Sequence, residues 1–152
     1  MQKSFRLLLI SLAVLLALSS LFACKKEEVE EEGWGELAEK WPIFANSMSE
    51  ITKNAAFLDK TQYRYEKATS DRLERLETEL GILLKLNFDG KLKAGVIIQK
   101  IDTKEQCTVL EFETAEYAER FATAYKDYLS RTSADTYIVK FVGNIAAYSI
   151  AK

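Results

Sequence analysis

The chain of 152 residues contains no histidine, one proline, two cysteines and six glycines. Without histidine there is no imidazole to act as the general base of a catalytic triad, and none to bind a metal. Two cysteines are too few for a disulfide framework or a four-cysteine zinc site. These absences exclude the commonest hydrolase and metalloprotein designs. The scarcity of glycine and proline also predicts short loops.

Charge of neither sign is in large excess, because 21 Lys and Arg stand against 23 Asp and Glu, a formal net charge of −2. A nucleic-acid-binding protein needs surplus cations to neutralise phosphates, so we expect no nucleic-acid partner. The sequence also lacks a glycine-rich phosphate loop, a G-x-S-x-G nucleophile motif and a calcium-binding loop. We therefore predict a protein that is not an enzyme and that has no catalytic residue, cofactor or metal.

The first 23 residues have the three parts of a secretory signal peptide. A basic start over Met1–Arg6 precedes an apolar run from Leu7 to Leu18, and small or apolar residues follow. The apolar run is well short of the roughly 20 residues that a bilayer-spanning helix needs. We therefore predict that residues 1–23 are removed and take no part in the fold.

The end of this segment, Leu21-Phe22-Ala23-Cys24, resembles the lipobox of bacterial lipoprotein precursors, with Phe22 in place of the usual small or β-branched residue. The resemblance implies cleavage after Ala23 and transfer of diacylglycerol to the Cys24 thiol. One acyl chain holds a protein only marginally at a membrane, whereas two or three hold it stably. The resemblance thus implies the lipid bilayer as a partner and the cell envelope as the location. The absence of Asp directly after Cys24 implies the outer membrane if the source is Gram-negative.

An acidic segment follows the predicted lipidation site, with five glutamates between Lys25 and Gly33. A run of like charges repels itself and buries no apolar surface. We therefore predict that residues 24–33 are a lipidated cysteine and a flexible tether, and that residues 34–152 form one small domain.

Apolar residues recur at alternating spacings of four and three in the first part of this domain, at Leu37, Trp41, Phe44, Met48, Ile51, Ala55 and Leu58. This apolar seam predicts an amphipathic helix, which we begin near Pro42 with residues 33–41 as a separate lead-in. A second helix is predicted after Ser70-Asp71, ending at Gly81. We expect the seam to pack on the protein's own core, and the alternative is a coiled-coil partner.

Alternating apolar residues then predict five strands and one inserted helix that begins after Thr114. The strands are Ile82–Phe88, Leu92–Ile101, Gln106–Glu113, Thr136–Val142 and Ile145–Ala151. The favoured register joins the first two by a three-residue loop ending at Gly90, and the alternative is that the second helix runs on to Leu86. A type II′ turn at Gly143-Asn144 joins the last two. The order α-α-β-β-β-α-β-β predicts an α+β fold with a mostly antiparallel sheet of about five strands.

Two further features are candidates for a role in binding or chemistry. Cys107 lies in a predicted strand and is interpreted as a small buried hydrophobic residue, with an intermolecular disulfide as the alternative. Tyr63, Arg64 and Tyr65 lie between the predicted helices and form a candidate partner-binding patch, with ordinary packing as the alternative.

The function predicted from these features is that of a membrane-anchored bacterial envelope lipoprotein. Its small domain is interpreted as a non-enzymatic binding or interaction module for another envelope protein or a small ligand. The alternative is an envelope structural or assembly factor that acts through the amphipathic helix of the apolar seam.

Overall fold

The computed structural model describes residues 33–45, 48–53, 56, 58–132 and 136–150. The predicted signal peptide, the lipobox with Cys24 and the acidic segment up to residue 32 lie outside the described residues. Within the described part of the chain, no helix combines the length and hydrophobicity needed to cross a bilayer.

The described residues form an α+β fold, as predicted. Its helices are α1 (Gly35–Lys40), a 3₁₀ helix (Pro42–Ala45), α2 (Met48–Lys53), α3 (Ser70–Leu84) and α4 (Ala115–Thr132). Its strands are β1 (Tyr63–Lys67), β2 (Leu92–Lys100), β3 (Gln106–Phe112), β4 (Tyr137–Val142) and β5 (Ile145–Ile150). They form one sheet in the order β1-β2-β3-β5-β4, and every neighbouring pair is antiparallel.

Helices lie on both faces of the sheet, so that the domain has three layers. The N-terminal helical segments pack on one face, which we call the covered face, together with Val96, Ile98, Cys107 and Val109. Helices α3 and α4 pack on the opposite face, which we call the trough face. The central strand β3 contributes apolar side chains to both layers, because successive residues of a strand point to opposite faces.

The apolar seam packs on the protein's own core, as expected, but it does not form one helix. Leu37, Trp41, Phe44, Ile51 and Leu58 are all buried, whereas the side chains of Met48 and Ala55 lie outside the described part of the structure. The chain leaves helical geometry at Trp41, with φ −127° and ψ 83°. A residue that precedes proline avoids helical geometry, so Pro42 begins a short 3₁₀ turn instead. The prediction of a main helix beginning at Pro42 was therefore wrong.

The prediction of a strand at Ile82–Phe88 was also wrong, and so was the predicted register of that strand opposite β2. Helix α3 continues past Gly81 to Leu84, close to the alternative end at Leu86. It ends where Lys85 takes a left-handed conformation, with φ +55°, and donates its N–H to the Gly81 carbonyl. The first strand is instead Tyr63–Lys67, for which no strand was predicted from the sequence.

The C-terminal hairpin has the predicted register. Phe141 faces Ala146, and Tyr137 faces Ile150 in the β4–β5 pair. Gly143 has φ +54°, which the first position of a type II′ turn requires. Turn chemistry and side-chain alternation agree here, and both are local properties of the sequence.

Candidate functional site

Part of the trough face is left uncovered beside the first half of α3. A row of side chains crosses this part in register: Glu66 of β1 faces Ile97 of β2, Ile97 faces Thr108 of β3, and Thr108 faces Tyr148 of β5. Ile97, Thr108 and Tyr148 are half-buried, and Glu66 is exposed. This row is the floor of an open depression, which we call the trough.

The trough consists of two adjoining cavities of about 560 and 520 Å³. Both are lined by Ile97, Thr108 and Tyr148, so they share one floor. The larger cavity extends between β1 and α3, towards Arg72 and Leu76. The smaller one extends towards the turn between β2 and β3, where its lining includes Gln99, Thr103, Lys104, Gln106 and Ile150. Cavities of this size accommodate small organic ligands.

A glycine on β2 allows α3 to lie close to the sheet at one end of the trough. A Cβ atom on Gly95 would lie 3.2 Å from Leu73 Cδ2 of α3 and 3.5 Å from Leu110 Cδ2. The first distance is shorter than an ordinary van der Waals contact, so a larger residue would require the Leu73 side chain to shift by a few tenths of an ångström. Gly95 thereby helps to define the wall that Arg72 and Leu76 form.

The lining combines apolar and polar groups. Leu76, Ile97 and Ile150 supply apolar surface, while Thr108 and Gln99 supply hydrogen-bonding groups. Such a mixture is typical of sites in which apolar contact provides affinity and a few polar groups fix the ligand's orientation.

Arg72 is the cation on the α3 wall of the trough. It lies in the first turn of α3, where its backbone N–H donates to the Thr69 hydroxyl at 3.4 Å. Its side chain is exposed and forms no ion pair with any described residue. The guanidinium is therefore available to a ligand that carries a negative charge.

Two tyrosines connect the trough floor to α4. The rings of Tyr125 and Tyr148 meet edge to face, with centroids 4.6 Å apart. Burial raises the pKa of Tyr148, and hydrogen bonds with Thr108 and Tyr125 partly offset this rise. Burial also raises the pKa of Tyr125. Both phenols therefore stay protonated near neutral pH and serve as neutral hydrogen-bonding groups.

The candidate patch Tyr63, Arg64 and Tyr65 lies between helices in the sequence, as predicted, but it belongs to strand β1. The two tyrosines pack against the covered-face core, where the Tyr65 hydroxyl donates to the Ile51 carbonyl at 2.8 Å. The Tyr63 ring lies 6.4 Å from that of Trp41. Arg64 faces Gln99 on the opposite face. Because neighbouring strand residues point to opposite faces, the three side chains do not form one surface.

The remaining chemical candidates are in structural environments. Cys107 is fully buried, and burial raises the pKa of its thiol, as expected of a small core residue. Glu105 lies 3.0 Å from Lys40 and 3.3 Å from Lys100, and hydrogen bonding to Lys40 is the main cause of its lowered pKa. Among the described residues, no group of three or more Cys, Asp or Glu side chains is placed to hold a metal ion.

The trough itself was not predicted from the sequence. The available signal was the presence of Gln99, Gln106 and Thr108 at trough-facing positions of otherwise apolar strands. Comparisons of the chain with protein-family models, with curated proteins and with solved structures give no match.

Proposed function

We propose that this protein is a bacterial envelope lipoprotein, anchored through acylated Cys24, whose domain is a non-enzymatic module that binds a small ligand in the trough. The observation that carries the binding role is the row Ile97, Thr108 and Tyr148, which the helices leave accessible beside α3. The support for the anchor is the lipobox-like sequence Leu21–Cys24.

The ligand class that fits the lining is a small amphipathic anion with an apolar or aromatic body. The body would lie on Ile97, Leu76 and the ring of Tyr148, and the anionic group would pair with Arg72. Thr108 and Gln99 would supply hydrogen bonds to polar groups of the ligand.

Binding in the trough can be tested with anilinonaphthalene sulfonate, a fluorescent amphipathic anion. We expect a saturable fluorescence increase with one dye per chain. Thr108→Phe fills the centre of the floor and should abolish the increase, whereas Arg72→Glu should weaken it by about tenfold because an ion pair is lost. The control is Lys126→Glu, which introduces a similar charge change on α4 at a position that lines neither cavity.

Dye binding that both trough variants leave unchanged would overturn the proposed site. Circular dichroism of each variant would establish that the fold is retained.

The anchor is tested separately with Cys24→Ala. We expect the wild-type protein to enter the detergent phase of a two-phase separation, and its mature N-terminal cysteine to carry the mass of attached acyl chains. The variant should remain uncleaved, or it should enter the aqueous phase if another peptidase cleaves it. Equal partitioning of both forms without an added lipid mass would contradict lipidation.

The alternative role, an assembly factor that acts through the apolar seam, receives less support. Leu37, Trp41 and Phe44 are buried in the covered-face core, so a partner could reach them only if this segment left the sheet. A partner that binds the intact domain and loses affinity on Trp41→Ala, but not on Thr108→Phe, would favour this role.

A further inference from the structure

Strand β1 forms one edge of the sheet and has a row of outward-facing backbone groups. Its even-numbered positions face β2, since the Gln62 carbonyl accepts from Ile101 N–H and the Ala68 N–H donates to the Gly95 carbonyl. Because backbone groups alternate along a strand, the N–H and C=O groups of Tyr63, Tyr65 and Lys67 point away from the sheet. Among these, the Tyr63 N–H is satisfied locally by the Asp59 carbonyl at 2.9 Å.

An exposed edge of this kind is a template for another strand. No described element pairs with the outer side of β1, because β2 is its only neighbour in the sheet order. Tyr65 and Lys67 retain outward N–H and C=O groups, and Tyr63 retains its carbonyl. These groups can pair with an antiparallel strand centred on Tyr65 without disturbing the turn at Asp59.

The charges on β1 favour a second copy of the same strand. Arg64 and Glu66 are both exposed on the trough face, one on either side of Tyr65. In a twofold antiparallel pairing centred on Tyr65, Arg64 of each copy lies opposite Glu66 of the other. On the opposite face, Tyr63 lies opposite Lys67, which allows a cation–π contact.

Neighbouring registers are disfavoured by the same charges. Outward backbone groups allow shifts of two positions only, because a shift of one would point the side chains to the wrong face. A shift in one direction places Arg64 opposite Arg64, and a shift in the other places Glu66 opposite Glu66. Like charges directly opposite each other destabilise a strand pair. Of these three registers, only the pairing centred on Tyr65 places opposite charges across from each other.

From this self-complementary pattern we infer that two copies of the protein associate through their β1 edges, which joins their sheets into one continuous sheet across a twofold axis. The contact is isologous, as in most homodimers. It involves one short strand from each copy, so the association depends on protein concentration. This inference rests on the β1 edge and requires no ligand in the trough, although Glu66 also lines the larger cavity.

The test is sedimentation of the full chain in density-matched detergent over a range of protein concentrations. The wild-type chain should change from monomer to dimer as its concentration rises. Arg64→Glu and Glu66→Arg should each weaken the dimer by about tenfold, because each places like charges opposite one another twice. The control Lys126→Glu, which matches the charge change of Arg64→Glu at an exposed position of α4, should leave the dimer unchanged.

Mixing the two single variants provides the decisive comparison. On the trough face of β1, one variant then presents two acidic residues and the other presents two basic residues, so that the mixed pair has opposite charges wherever position 64 faces position 66. The mixture should recover the dimer, and so should the double variant Arg64→Glu/Glu66→Arg, whose charges are again self-complementary. A wild-type chain that remains monomeric, or a mixture that fails to recover association, would overturn the inference.

Discussion

Trp41 and Ser149 are 108 positions apart in the sequence, yet they share a buried hydrogen bond. The Trp41 Nε1–H donates to Ser149 Oγ at 3.2 Å, and the Ser149 hydroxyl donates to the Gln106 carbonyl at 3.1 Å. Both residues are almost completely buried, so neither polar group has access to water in place of its partner. The bond fixes the N-terminal segment to the middle of the covered face.

We predict that Ser149→Ala lowers the free energy of unfolding by about 1–3 kcal/mol, because it leaves the buried indole N–H without an acceptor. Urea denaturation followed by far-ultraviolet circular dichroism measures this change. The control Ser130→Ala removes an exposed hydroxyl from α4 and should cost less than about 0.5 kcal/mol. Equal effects of the two substitutions would show that the Trp41 contact contributes nothing to stability.

The buried acids Cys107, Tyr125 and Tyr148 predict that stability falls in alkaline solution. Burial raises the pKa of each group in the folded state. In the unfolded chain the thiol ionises near its ordinary value of 9.0, and the phenols near 10.0. The unfolded state therefore loses protons first, so the stabilisation is complete below about pH 9 and is lost as the pH rises above it.

Urea denaturation at a series of pH values between about 7 and 10.5 tests this dependence. The free energy of unfolding should decline more gradually for Cys107→Ala than for the wild type, because one of the three groups is gone. A wild-type stability that stays constant over this range would contradict the predicted linkage.

Among the elements, those with strong local signals could be predicted from the sequence. Strands β2, β3, β4 and β5 lie within one residue of their predicted bounds, and helix α4 begins directly after Thr114, as predicted. Each shows clear alternation or helical spacing, and the β4–β5 register also follows from the requirement for glycine at position 143. These signals operate over a few neighbouring residues, so tertiary contacts do not override them.

The errors in the predicted secondary structure occur where a helical and a strand pattern coexist, or where the hydrophobic pattern is weak. Ile82, Leu84 and Leu86 alternate as a strand does, but Leu73, Leu76, Leu80 and Leu84 also repeat at helical spacing. The helix prevails because its leucines reach the trough-face core. Strand β1 was not predicted because its apolar signal is weak. Only Tyr63 and Tyr65 face the interior, and the other three residues of the strand are charged. The trough depends on which part of the sheet α3 and α4 leave bare, and no local pattern encodes this.

The corrected end of α3 predicts that Ile82→Lys changes the free energy of unfolding by less than about 0.5 kcal/mol. The Ile82 side chain is 76% exposed, whereas a strand partner of β2 would bury it. Leu80→Ala, on the buried side of the same helix, should cost about 2–5 kcal/mol. Chemical denaturation of both variants makes the comparison, and a large loss for Ile82→Lys would restore the strand interpretation.

At the scale of the whole molecule, the two cores on either side of the sheet are coupled through shared strands. Val109 of β3 belongs to the covered-face core, and its neighbour Leu110 belongs to the trough-face core. Neither layer can lose β3 without disrupting the other. We therefore expect the domain to unfold as one cooperative unit.

The aromatic residues allow this cooperativity to be measured. Trp34 and Trp41 pack with the covered-face core, whereas most of the tyrosines, including Tyr125 and Tyr148 but not Tyr63 and Tyr65, pack with the trough-face core. Tryptophan fluorescence and the near-ultraviolet circular dichroism of tyrosine should therefore report the same urea midpoint. Separate midpoints for the two signals would show that the layers unfold independently.

The place of β5 has a consequence for biosynthesis. This strand comes after the other four in chain order, yet it inserts between β3 and β4, and it carries the serine that holds Trp41. A nascent polypeptide cannot complete the sheet until residue 150 has left the ribosome. The nascent chain should thus have neither the link between β3 and β4 nor the buried Trp41 hydrogen bond until β5 has emerged.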